Sequence, residues 1–288
     1  MSSLLTENPP IIVFDLDGTL INEHKGVHPM DVALLTMPDP PAVFVPATGR
    51  SMYTMRRILQ EFGILNGKPI PFSFICQNGS FIYDQGEKQL QGSTFEPDLQ
   101  EELLSICKKM SGVCFLLFDE NDLQILHPTS FGLQETERYR ISHREYREND
   151  SVVRYSKMMC LSPDPEVFLE FISLVKGLDI EIATSTPTIL EFNPTGISKG
   201  SSLEVLAEYK HWSKGNIFCA GDGENDLSMF SKFENSFAPK TCAKYIQEKA
   251  ANIIDTLEYG LLTPILEYAA AKINNKELVH TNTQKSIS

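Results

Sequence analysis

Four consecutive apolar residues, Ile11-Ile12-Val13-Phe14, run straight into Asp15-Leu16-Asp17-Gly18-Thr19, and this junction limits the possible folds more than any other stretch. An unbroken apolar run with no polar alternation reads as a strand buried on both faces, as in a parallel sheet covered by helices. Residues two apart on extended backbone point the same way, so Asp15 and Asp17 would repel each other unless a cation lay between them. Mg²⁺ is the expected occupant, because a hard divalent ion takes oxygen ligands and shares its site with water and phosphate. A plain turn of Asp, Gly and Thr is the alternative. An EF-hand loop does not fit, since its fifth, sixth and twelfth places hold Thr19, Leu20 and Gly26 and a strand precedes it.

The α/β rhythm continues. Ala42 to Ala47 is a second apolar run ending at Thr48-Gly49-Arg50, and Met52, Met55, Ile58, Leu59 and Phe62 follow at helical spacing behind a capping Ser51. A strand over Phe72 to Cys76 ends at Gln77-Asn78-Gly79. Beyond it the pattern changes. A hairpin around Asp84-Gln85-Gly86, a helix over Asp98 to Met110, strands over Cys114 to Phe118 and Leu123 to Leu126, and a charged stretch over Gln134 to Asp150 come first. A strand over Val152 to Leu161, a helix over Asp164 to Val175 and strands at Ile180 to Ala183 and Thr188 to Phe192 follow. This mixture reads as an α+β unit inserted into the first domain. From Gly196 the rhythm resumes, with a helix over Ser202 to Tyr209, a strand over Asn216 to Ala220, a short strand at Ser236 to Ala238, a helix over Cys242 to Ala251, a strand at Asn252 to Ile254 and a helix over Gly260 to Ile273. The expected division is a discontinuous core, 1–82 and 190–275, an insert at 83–189 and a frayed tail at 276–288.

The net charge of −13 argues against a nucleic-acid or anionic-membrane partner, which would want a basic face. Six cysteines without a C-x-x-C pair, mostly within apolar runs, read as buried thiols in a reducing compartment, the cytoplasm. The first ten residues lack the basic start and apolar run of a signal peptide, and no 18-residue apolar stretch suggests a membrane span.

Four polar clusters follow or lie near strand ends or helix starts: Asp15/Asp17, Thr48-Gly49, Lys199-Gly200 and Gly221-Asp222-Gly223-Glu224-Asn225-Asp226. A metal-held phosphate needs such parts: carboxylates for the ion, backbone N–H groups and a hydroxyl for phosphate oxygens, and a lysine to balance the added charge. In this order the clusters resemble the four motifs of the haloacid dehalogenase superfamily, and the large insert after Asn78-Gly79 resembles the α/β cap of its Cof-type sugar-phosphatase branch. The match runs from Ile11 to about Ile273. One departure is Phe237-Ala238-Pro239-Lys240-Thr241, where the branch commonly has a Gly-Asn turn.

The resemblance implies a Rossmann-like α/β core with a parallel sheet, an inserted α+β cap, and an Mg²⁺-dependent phosphatase for small phosphorylated metabolites, with sugar phosphates the leading class. It implies that Asp15 is the nucleophile and that Asp17 is the acid and then the base. Thr48, Gly49, Lys199 and Asn225 would bind phosphate. Asp15, the Asp17 backbone carbonyl and Asp222 would bind the metal, with Asp226 in support. A monomer or weak homodimer is expected. A phosphomutase of the same superfamily and a non-catalytic phosphate-binding module are the alternatives. Hinges are expected near Ser80 and near Asn193, so that the site can open and close.

Overall fold

The computed structural model describes residues 8–22, 26–120, 123–138, 142–148 and 153–272. The tail expected over 276–288 lies outside them, as do parts of the charged stretch before Asp150. The strands in chain order are β1 (Ile11–Phe14), β2 (Val43–Pro46), β3 (Phe74–Cys76), β4 (Phe81–Asp84), β5 (Lys88–Gly92), β6 (Cys114–Phe118), β7 (Leu123–Leu126), β8 (Arg144–Glu145), β9 (Lys157–Leu161), β10 (Ile180–Thr186), β11 (Ile189–Pro194), β12 (Ile217–Ala220), β13 (Asn235–Pro239) and β14 (Asn252–Ile254).

Five strands form an all-parallel sheet in the order β14-β13-β12-β1-β2, with β1 laddered between β12 and β2. Both faces of β1 are covered, which is why its sequence shows no polar alternation. Ile12 and Phe14 pack with Met55, Ile58 and Leu59 of the helix Met52–Glu61 and with Leu262, Ile265 and Ala269 of a helix over 262–272. Ile11 and Val13 pack on the other side with Leu203 and Leu206 of the helix Lys199–Tyr209 and with Met229 and Phe230 of the helix Leu227–Lys232. The Rossmann-like core expected from the sequence is therefore present. A bridge between Ala47 and Ile75 attaches the antiparallel ribbon β3-β4-β5 beside β2.

A second sheet has the order β10-β11-β9-β6-β7-β8 and is antiparallel except for β7-β8. The helices Pro97–Lys109 and Glu166–Leu174 bring Leu103, Leu104, Cys107, Phe168 and Phe171 against Phe115, Leu117, Met158 and Phe192 of this sheet. This is the inserted α+β unit. The expected division at 83 and 190 cuts through β4 and β11: β4 and β5 ladder with β3, while β11 ladders with β9 and β10. The sheets themselves change after Gly92 and after Pro194, a matter of strand pairing that local pattern does not reveal.

Two helices differ from expectation. The one expected from Ser202 starts at Lys199, because the Ser198 hydroxyl accepts from the Ser201 N–H while the Ser201 hydroxyl accepts from the Ser198 N–H. The one expected over Cys242 to Ala251 spans Lys244–Gln247, and the Ala251 N–H is taken by the Ser236 hydroxyl as the chain turns into β14. Ser80 and Asn193, expected near hinges, are buried and bonded to each other: Asn193 Nδ2 donates to Ser80 Oγ at 3.0 Å and to the Ser156 carbonyl at 3.1 Å.

Candidate active site

The four polar clusters meet at the C-terminal ends of β1, β2 and β12, where an open α/β sheet leaves its ligand crevice. Asp15 follows β1 and donates its N–H to the Ala220 carbonyl at the end of β12. The chain then turns at once. Gly18 adopts φ +82°, its N–H reaches the Ile21 carbonyl, and a Cβ there would stand 2.1 Å from Asp222 Oδ2. Gly18 is thus fixed by both backbone sign and close approach. The Thr19 hydroxyl donates to Asp222 Oδ1 at 2.6 Å, tying the first cluster to the last.

Asp15, Asp222 and Asp226 place carboxylate oxygens within 4.8 Å of one another. Lys199, at the start of its helix and fully buried, donates to Asp15 Oδ1 at 2.6 Å and to Asp226 Oδ1 at 2.8 Å. Asp226 Oδ2 accepts the N–H groups of Asp222 and Gly223 at 2.9 and 3.0 Å, so this buried acid shapes its own loop as well as holding Lys199. Burial pushes Asp15 well above the ordinary aspartate range; Lys199 works against this, and the charges of Asp226, Asp222 and Asp17 add to it. Burial, with Asp226 next, pushes Asp222 up to about 7 against the pull of Thr19 and Lys199. For Lys199 burial opposes the charge, yet Asp15 and Asp226 outweigh it and raise the lysine above its ordinary value. Three clustered carboxylates against one ammonium leave two negative charges unbalanced, and the donors are all hard oxygens, so the set fits a small divalent cation.

Asp17 is placed otherwise than extended backbone would put it. The strand ends at Phe14, and after the turn the Asp17 carboxylate faces Arg50, whose Nε and one terminal nitrogen each donate to it at 2.6 Å. Its carboxylate is not one of the three that cluster, yet its charge still reaches Asp15 and Asp222. Thr48 is buried, and its Oγ1 accepts from the Arg50 N–H at 3.1 Å while its own N–H continues the ladder to the Ile75 carbonyl. Asn225 Nδ2 donates to Asn78 Oδ1 at 3.1 Å.

Sequence reasoning assigned no role to Thr19, Arg50, Asn78, Lys157 or Glu191. Thr19 follows Asp17-Gly18 and Arg50 follows Thr48-Gly49 in the chain, and that adjacency was a usable signal. Lys157 and Glu191 sit in apolar strands of the insert, where a lone charge flanked by hydrophobic residues was the cue. Among the described residues no helix is long and apolar enough to cross a membrane.

Fold and site define an α/β protein with a parallel-sheet core, an inserted α+β unit and a carboxylate-and-lysine centre at the strand ends. The family profile of haloacid dehalogenase-like hydrolases matches residues 12–260, and the chain belongs to this family, in its Cof-type branch. It is 24% identical over 258 residues, 88% of this chain and 94% of the relative, to the 5-amino-6-(5-phospho-D-ribitylamino)uracil phosphatase YcsE of Bacillus subtilis. It is also 24% identical to the HMP-PP phosphatase of Serratia proteamaculans, over 77% of this chain and 80% of the relative. A haloacid dehalogenase-like hydrolase from Bacteroides thetaiotaomicron superimposes with a TM-score of 0.75 at 22% identity, covering 91% of this chain and 99% of that one. The subclass IIB sugar phosphatase BT4131 does so with a TM-score of 0.72 at 18% identity, covering 85% and 93%. The enzyme class expected from the sequence, a phosphatase of this family, stands on these relatives.

Proposed function

We propose that the chain is an Mg²⁺-dependent phosphatase of small phosphorylated metabolites, sugar phosphates the leading class, acting through an aspartyl-phosphate on Asp15. The observation that carries this reading is the group at the end of β1 formed by buried Asp15, Lys199 and Asp226 with half-buried Asp222. Lys199 holds Asp15 Oδ1, and we assign attack on phosphorus to the other oxygen. As the new O–P bond forms, the ester O–P bond breaks, and Asp17 gives its proton to the departing oxygen. Asp17 then takes a proton from water, whose oxygen displaces the Asp15 carboxylate and releases inorganic phosphate. To do this Asp17 must turn from the Arg50 fork that holds it in the structure.

Asp15, Asp222 and the Asp17 backbone carbonyl would hold Mg²⁺, and Asp226 supports them through the loop N–H groups it accepts. The bound ion would neutralise charge on the phosphoryl oxygens. The Thr48 oxygen already accepts from Arg50 N–H, so what it offers a phosphate is its proton. The Gly49 N–H, the Asn225 amide and Lys199 complete the phosphate contacts in this reading. Five cysteines are buried thiols and Cys242 is half-buried, none in a disulfide, and a reducing cytoplasm suits them. We expect a monomer or weak homodimer, with neither nucleic acid nor membrane as partner.

The two curated relatives named above are phosphatases named for small phosphorylated compounds, which supports a metabolite substrate. The test is phosphate release from a panel of phosphorylated metabolites, with and without a chelator. The reading expects release from at least one sugar phosphate, loss on chelation and recovery with Mg²⁺. Release that ignores chelation, or no release from any member, would overturn it.

A further inference from the structure

The six-stranded sheet buries two charged residues on a face that is largely apolar around them, with the buried Asn193 two residues along β11. Lys157 of β9 and Glu191 of β11 share that face with Met159, Leu161 and Ile189, and both are buried. Desolvating two charges costs several kcal/mol per ion, so such a pair is poor evidence of stabilisation and asks for another account.

The contacts supply one. Lys157 Nζ donates to Glu191 Oε2 at 3.1 Å and, across the boundary between the sheets, to the Gly49 carbonyl at 2.7 Å. It also lies 4.6 Å from the centroid of the Phe118 ring. Glu191 Oε2 accepts a further hydrogen bond from Asn78 Nδ2, and Asn78 Oδ1 accepts from Asn225 Nδ2 at 3.1 Å. One ion pair in the insert therefore reaches two loops of the core, Thr48-Gly49-Arg50 and Glu224-Asn225-Asp226. A Cβ on Gly49 would lie 3.0 Å from Asn78 Oδ1 and 3.6 Å from Glu191 Oε2, so a bare backbone at 49 lets the relay pack against the loop.

We propose that Lys157 and Glu191 are positioning residues that aim the phosphate donors Gly49 and Asn225 from the inserted unit. The inference rests on the phosphatase reading of the site and extends it: the core motifs alone do not orient the phosphate pocket, which is complete only when β9 and β11 are seated. Lys157 fixes the direction of the Gly49 carbonyl and thereby the backbone torsions of the loop that presents the Gly49 N–H. Glu191 fixes Asn78, and Asn78 holds Asn225. Neither charged group touches the reacting atoms.

The double variant Lys157→Met/Glu191→Leu removes both charges together and so leaves no uncompensated buried ion. Glu191→Gln keeps the shape and an acceptor for Asn78 while removing the charge that faces Lys157. Three readouts apply: inhibition by inorganic phosphate, KM and kcat for p-nitrophenyl phosphate, and amide hydrogen exchange at residues 48–50. The account expects a folded double variant whose phosphate inhibition constant and KM both rise roughly tenfold or more, while kcat falls by less. Exchange at Gly49 and Arg50 should speed up while β1 and β2 keep their protection, and Glu191→Gln should fall between wild type and the double variant. A folded double variant with KM and phosphate inhibition within about twofold of wild type would overturn the inference. If the double variant does not fold, Glu191→Gln within that same margin overturns it instead. A wild type that releases no phosphate from any ester would refute the phosphatase reading and this inference with it, whereas a working wild type with insensitive variants refutes the inference alone.

Discussion

Asp15 sits among charges that would be untenable without a counter-ion. Burial and three acidic neighbours raise its proton affinity, and Lys199 is the one cation bonded to its carboxylate among the described contacts. That arrangement depends on backbone that admits no side chain at certain points. Gly18 is the clearest, since its φ of +82° disfavours any other residue and its missing Cβ makes room for Asp222. Gly18→Ala is therefore expected to displace Asp222 more than it unfolds the chain. Stability should fall by about 1–2 kcal/mol in a urea titration, whereas kcat with an aryl phosphate should fall roughly a hundredfold and half-saturation should need more Mg²⁺. A variant that lost stability yet kept its kcat and Mg²⁺ requirement would show that Asp222 is not held by this approach.

At the scale of elements, Asp31 joins two helices far apart in sequence. It lies in the first turn of the helix Pro29–Leu35, is buried, and accepts from the N–H groups of Leu261 and Leu262, at 2.8 Å each, where the helix over 262–272 begins. A carboxylate at a helix N-terminus satisfies orphan donors and meets the positive end of the dipole. Asp31→Ala should cost about 1–3 kcal/mol in chemical denaturation. Burial raises the Asp31 pKa, against the pull of the two N–H groups and His28. A raised folded value means that the linked stability is full below the ordinary 3.8 and is lost as pH rises through the folded value. The gap between wild type and Asp31→Ala should therefore narrow as pH rises above the ordinary 3.8 and through the raised folded value; a gap that widens would show the sign to be wrong. Elements of this kind mark the limit of what was legible in the sequence. The strand Ile11–Phe14 and the helix Met52–Glu61 stood out because burial on one or both faces writes itself into local apolar spacing. Asp31 gave no signal, because its partners are 230 and 231 residues away. Asp15, Lys199, Asp222 and Asp226 were picked out by cluster composition and order, but the turn of Asp17 toward Arg50 was not, since it depends on where the strand stops. The membership of β4 and β11 was missed because strand pairing is non-local.

For the whole molecule, the site lies at the strand ends of the parallel sheet, and the inserted sheet is joined to the core through buried polar contacts at Ser80, Ser156 and Asn193. A chain of net charge −13 should repel a dianionic substrate at long range, while Lys199 acts at contact. Raising ionic strength from about 0.01 to 0.15 M should therefore increase kcat/KM for a phosphate monoester, because screening shortens the reach of the repulsion. A decline would mean that a local positive field governs capture. In the proposed mechanism the two acids that follow β1 divide the labour. Rapid acid quench with an aryl phosphate separates their roles when wild type, Asp15→Asn and Asp17→Asn are compared. Asp15→Asn should yield no phosphoenzyme. Asp17→Asn should accumulate phosphate on Asp15, because a good leaving group departs without an acid while hydrolysis lacks its base. Near-normal turnover in both variants, or phosphoenzyme formed without Asp15, would contradict the account.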